Sequence, residues 1–293
     1  MYSISQVVLF LGGMLTASLS VLAGDAQTPP SFWELSDYRF RYPGKDTDVD
    51  LYIRSWRNSP QHIGHGGFIE REVFFPGDPG NPVKQGAVLA YIKEFDHGVL
   101  NPRCSTSSTK HDREQVFFFV TRGDARVAIG NETVGLTSGS FLFVPAGIEY
   151  RFTALGEDYL HVVIISEEIS PGFKPKKRIL SSNYTDIVPD TNWQWAFDFY
   201  RIASEAGFEN PIELGVASMD RTDISHPFVA KPGTEEIWYQ VRGTSILFIG
   251  NAIRTQREGD AYYVPPNGKV PHASINETGE PLLWLYLCNR HER

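Results

Sequence analysis

Cysteine is scarce in this chain of 293 residues: Cys104 and Cys288 are its only two. They form no CxxC pair, so a disulfide-dense scaffold and a cysteine-held zinc site are excluded. Basic runs are short as well. The longest is Lys176-Lys177-Arg178 in a chain of formal net charge −8, which argues against a nucleic-acid partner. Beyond residue 23 no apolar run approaches the roughly 20 residues that cross a bilayer. Long stretches of helical periodicity are missing, as are a Ser/His/Asp elbow, a Gly-rich phosphate loop and an HExxH helix. Nucleotide hydrolases, zincins and α/β-hydrolases drop out with them.

What is present begins with Val7 to Ala23, apolar or small throughout and uncharged, with Val21-Leu22-Ala23 where a signal peptidase reads. Residues 1–23 read as a cleaved secretory signal, with an uncleaved anchor as the alternative. The mature chain is therefore expected to be secreted or in the secretory pathway, with no membrane segment. Asn131, Asn183 and Asn276 each open a glycosylation sequon in keeping with that route. In an oxidising compartment Cys104 and Cys288 are candidates for one disulfide, two separate thiols being the alternative.

The chain also repeats itself. At an offset of 120 positions Gly123 meets Gly243, Ile129-Gly130-Asn131 meets Ile249-Gly250-Asn251, Gly139 meets Gly259, and Val144-Pro145 meets Val264-Pro265. Short apolar runs between Gly-containing turns predict strands at 87–92, 115–120, 126–129, 140–144 and 159–166, and again at 213–219, 236–241, 245–249, 261–264 and 282–287. The alternation Trp193, Trp195, Phe197, Phe199 predicts one further strand, with a short helix near 202–206. The expected layout is a signal at 1–23, an arm at 24–85 packing on the barrels, a first barrel at 86–166, a linker at 167–189 and a second barrel at 190–293. The fold class is all-β, two jelly-roll barrels in tandem.

The turn residues carry a family resemblance. Gly233-Thr-Glu-Glu-Ile-Trp-Tyr, Gly243, Gly259-Asp260, Pro266-Asn-Gly268, His272 and Asn276 in the second half, with Gln115 to Gly123, Gly139-Ser140 and Val144-Pro145-Ala146-Gly147 in the first, resemble the two-part signature of the cupin superfamily. The plan is similar to secreted fungal quercetinase-like bicupins. That resemblance implies a metal held by three histidines and one glutamate, and a homodimer as a candidate assembly. Its four ligand places fall here on Thr109, His111, Val116 and Tyr150 in the first half, and on Val229, Lys231, Glu236 and His272 in the second. One of four and two of four are ligand types, so the first barrel is read as degenerate and the expected cofactor is none. The alternative is a divalent transition metal held by Glu236, His272 and His226.

Lys231, Glu236 and His272 are the candidate catalytic residues: a carboxylate and an imidazole for proton transfer, and an ammonium to polarise an oxygen. A buried ion pair without catalysis is the plainer alternative. By period 2, Glu236, Trp238 and Gln240 share one face, which makes Trp238 and Gln240 pocket-wall candidates; Tyr150 and His111 are the candidates in the first barrel. The expected partner is a small apolar molecule. The expected function is a metal-free cyclisation or isomerisation of a secondary-metabolite intermediate, a Diels–Alder type closure among them. The alternatives are a metal-dependent quercetinase-like dioxygenase and a non-catalytic binding or storage bicupin.

Overall fold

The computed structural model describes residues 47–174, 179–194, 196–202 and 207–290. The signal at 1–23, positions 24–46 of the arm, positions 175–178 of the linker, Trp195, positions 203–206 and positions 291–293 lie outside them. Each half is built from two antiparallel sheets. In the first, a large sheet runs Leu180–Asn183, Ser140–Val144, Glu114–Arg122, Leu160–Glu168, Glu94–Leu100, Phe68–Pro76, Gln61–Gly64, and faces a small one of Thr109–Lys110, Glu149–Leu155, Asp124–Ile129, Glu132–Leu136. In the second, the large sheet runs Ile53–Ser55, Asp260–Tyr263, Thr234–Arg242, Leu282–Arg290, Pro211–Met219, Phe197–Arg201, Asp190–Trp193. Its small sheet is Phe228–Val229, Pro271–Ile275, Thr244–Ile249, Ala252–Arg257.

Central strands are buried on both faces, which explains why they read as unbroken apolar runs rather than as alternation. On Glu114–Arg122, Val116, Phe118 and Val120 fill the interior of the first barrel, while Phe117 and Phe119 face outward into a second core. That outer core is shared. Phe74, Phe95, Phe117, Phe119 and Ile165 of the first barrel pack there with Ile237, Tyr239, Tyr263, Leu285 and Leu287 of the second. The interior of the second barrel is separate and aromatic, with Phe197, Phe199, Trp238, Tyr262, Trp284 and Tyr286.

The duplication survives in backbone detail. Gly123 and Gly243 both have φ of +86°, and Gly130 and Gly250 have +54° and +59°. Hairpins that turn through left-handed φ require glycine at the same place in each copy.

Three boundaries differ from the sequence reading. The arm does not simply pack on the barrels: Ile53–Ser55 pairs with Asp260–Tyr263 of the second barrel, and Phe68–Pro76 pairs with Glu94–Leu100 of the first. The linker contributes a strand too, since Leu180–Asn183 pairs with Ser140–Val144. The predicted strand through Trp193 and Phe199 is a hairpin of two, Asp190–Trp193 and Phe197–Arg201, broken at Gln194, whose φ is +47°. The short helix expected near 202–206 falls on positions that, apart from Ile202, lie outside the described residues. Among the described residues no helix is long and apolar enough to cross a membrane.

The two cysteines are not bonded. Cys104 is exposed on the first barrel and Cys288 is buried in the interior of the second, so their side chains belong to different compartments. The sequon at Asn276 is also unsuited to a glycan. It is 1% exposed, and its amide donates to both Asp220 O and Glu280 O. Asn183 is half-buried and donates to Ser138 O while its Oδ1 caps Thr185 N–H; Asn131 alone stands exposed.

Candidate functional site

The second barrel gathers its polar groups at one end. Glu236 and Trp238 are two residues apart on Thr234–Arg242, so both enter the barrel, and Trp238 Nε1 donates to Glu236 Oε1 at 2.8 Å. His272, from Pro271–Ile275 of the opposite sheet, brings Nε2 to 3.1 Å from the same oxygen. Glu236 and His272 are 1% and 3% exposed. Their approach is at ion-pair distance without hydrogen-bond alignment, and both His272 nitrogens lack a hydrogen-bond partner among the described residues.

Glu236 borders a cavity of about 490 Å³ walled by Trp193, Phe228, Tyr286 and Cys288. His272 is not part of that wall and meets the cavity through Glu236. Thr234 also borders it, with a buried Oγ1 that has no partner among the described residues. Tyr286 and Tyr262 are held well above the usual phenol range by burial and then by the Glu236 charge.

The other expected residues disperse. Lys231 is exposed at the rim of the cavity that Glu236 borders, between buried Ala230 and a turn at Pro232-Gly233, and makes no ion pair with Glu236 among the described residues. Gln240 is buried away from the cavity, accepting from Ser245 Oγ at 3.0 Å and donating to Arg242 O at 2.8 Å. His226 is exposed and joins no metal-holding group. In the first barrel His111 Nε2 and Tyr150 Oη lie 3.2 Å apart, as a pair with the His65 ring 5.3 Å from that of His111.

Neither motif set fits a metal. Val229 and an exposed lysine occupy two of the four places in the second barrel, while Thr109, Val116 and Tyr150 occupy three of four in the first. A different group in the first barrel does have metal-holding geometry: His62, Glu70, Glu94 and Asp96, the one such group among the described residues. Thr234, Trp193 and these four are what sequence reading missed. The signal was the i, i+2 spacing of Glu70 with Glu72 and of Glu94 with Asp96, which sets acids on one strand face.

The family model for a cupin domain matches residues 97–166. An uncharacterised protein of Streptomyces coelicolor is 32% identical over 85 residues, which are 28% of this chain and 80% of that protein. The chain belongs to the cupin superfamily. This cupin is similar to Bacillus subtilis oxalate decarboxylase, a protein with Mn(II) centres, at a TM-score of 0.61 and 15% identity over 88% of this chain and 84% of that one. A Lactobacillus farciminis oxalate decarboxylase in formate complex has a TM-score of 0.60 at 16% identity, covering 82% and 86%. AerE from Microcystis aeruginosa has a TM-score of 0.59 at 14% identity, covering 82% and 100%. At these identities the likeness is one of fold. It spans both barrels, so this cupin is a bicupin.

Proposed function

We propose that the second barrel is an enzyme site that isomerises or cyclises a flat, largely apolar small molecule by proton transfer at Glu236. The observation that carries this reading is a carboxylate, 1% exposed, on the wall of an aromatic cavity of about 490 Å³ and backed by an imidazole at 3.1 Å. Such a carboxylate can take a proton from a carbon beside a carbonyl and return it at another atom of the same molecule. Protons and bonds then balance within the substrate, and acid–base help of this kind is worth about 10²- to 10⁴-fold in rate.

The remaining groups supply binding and orientation. Trp238 holds Oε1, which leaves the second oxygen of Glu236 to meet the guest. His272 serves as a positioning residue that balances the carboxylate from behind. The aromatic walls favour a flat molecule, and Thr234 Oγ1 offers it a polar contact. Lys231 at the rim attracts a carbonyl or anionic end. A closure of Diels–Alder type falls in the same class, with positioning supplying more of the effect than proton transfer.

Tryptophan fluorescence with a panel of planar phenols and enones identifies binders. Deuterium uptake from D₂O beside the carbonyl of each binder, followed by NMR, then measures proton transfer. Glu236→Gln should keep binding within about threefold and lower exchange by about 100-fold or more. Equal exchange in both proteins would leave a carrier of the same guest and end the enzyme reading.

A further inference from the structure

The inward face of the first barrel is apolar along most of its length and then turns acidic. Phe68 is followed two residues on by Glu70, and Gly98 and Leu100 are preceded by Asp96 and Glu94, so these acids continue the row that the core occupies. The pairing of Phe68–Pro76 with Glu94–Leu100 sets Glu70 opposite Gly98, one step along the same face from Asp96. Glu70 and Asp96 are 0% and 1% exposed. One ligand atom from each of His62, Glu70, Glu94 and Asp96 lies within 4.8 Å of the others.

Three carboxylates this close oppose one another, and the protein supplies little to offset them. Among the described residues the basic groups within ion-pair distance of Glu70, Glu94 and Asp96 are His62 and His65. Lys93 is engaged with Glu114 at 2.6 Å instead. Glu70 Oε2 is buried and has no hydrogen-bond partner among the described residues, although it lies 3.5 Å from His62 Nε2. An oxygen fully removed from water and left unpaired costs about 1–3 kcal/mol, more when charged.

The surroundings orient these side chains as a ligand shell is oriented. His65 Nδ1 holds Glu70 Oε1 at 3.0 Å, and Ser166 Oγ donates to Glu94 Oε2 at 3.0 Å. His65 itself takes a left-handed φ of +39°, a strained state for a residue with a Cβ. A crevice of about 230 Å³ bordered by His62, Glu94 and Asp96 gives access from solvent.

We propose that His62, Glu70, Glu94 and Asp96 bind one divalent cation in the first barrel. None of the four stands at a ligand place of the cupin motif, so the site is built from different strands. Three carboxylates with one imidazole favour a hard to borderline ion, Mn²⁺ before Cu⁺ or a thiolate-seeking metal.

The test is Mn²⁺ titration of the chelator-stripped full chain, read by loss of the free-ion EPR signal and by Tm. The wild type should take up one Mn²⁺ and gain Tm, and Glu236→Gln should do the same. His62→Ala, at a half-exposed position that leaves the fold intact, and Asp96→Asn, which relieves repulsion, should each weaken uptake by roughly 10- to 100-fold and abolish the Tm gain. Asp96→Asn without metal should melt no lower than the wild type. Uptake that fails to saturate below about 1 mM, or that is unchanged in both variants, overturns the proposal.

Discussion

Glu236 is the residue on which the second barrel turns, and its two neighbours have different jobs. Trp238 is the hydrogen-bond donor that fixes Oε1. Trp238→Phe keeps a ring in the aromatic interior of the barrel, outside the cavity lining, and removes that donor, so urea unfolding should show a loss of about 1–3 kcal/mol. His272 lies behind the carboxylate. His272→Asn should therefore lower kcat by roughly tenfold while KM holds, because a positioning group that does not touch the guest affects the reacting state more than binding. The cysteines separate at this scale as well. With Cys104 exposed and Cys288 buried, a thiol reagent should label one cysteine in the native protein and two after denaturation.

At the scale of the element, the strand Thr234–Arg242 does two things because its two faces serve different cores. Glu236 and Trp238 enter the barrel, while Glu235 points the other way and receives the backbone N–H groups of Ala90 and Tyr91 at 2.9 and 3.1 Å. Burial pushes Glu235 up to about 7 although these hydrogen bonds pull it down. The folded state then binds a proton that the unfolded chain releases near pH 4.5, so this group's contribution to stability falls as pH rises from there to 7. From pH 4 to pH 8 the stability of Glu235→Gln relative to wild type should move in the variant's favour by roughly 3 kcal/mol, measured by urea unfolding. The hairpin ahead of Phe68–Pro76 carries a second element-scale constraint. A Cβ at Gly64 would collide with the Glu70 carboxylate. Gly64→Ala should therefore displace Glu70 and weaken Mn²⁺ uptake by about tenfold or more, read in the same titration.

At the scale of the whole molecule, the barrels are not independent. The shared core joins Phe117 and Phe119 to Tyr239 and Leu285, and the strands Ile53–Ser55 and Leu180–Asn183 complete sheets far from them in sequence. Removing one large side chain from that core, as in Phe119→Ala, should cost about 3–5 kcal/mol. Both barrels should then melt earlier and still in a single transition, monitored by tryptophan fluorescence for the second barrel and by far-UV circular dichroism for the whole.

The sequence alone determined the all-β class, the duplication and the turn glycines, because a hairpin that needs left-handed φ accepts few residues and so marks itself. It also placed Glu236 and Trp238 on one face, since strand periodicity is strictly two. It did not reveal the Glu94–Leu100 strand, whose inward positions carry Glu94 and Asp96 where a hydrophobic pattern demands apolar groups. Only the tertiary structure decided that Lys231 is exposed, that Cys104 and Cys288 stay apart and that Asn276 is enclosed. It also decided that four ligand-type side chains from three separate strands meet at one end of the first barrel. Their meeting depends on strand order and register across a sheet, and these are long-range pairings that no local spacing of residues encodes.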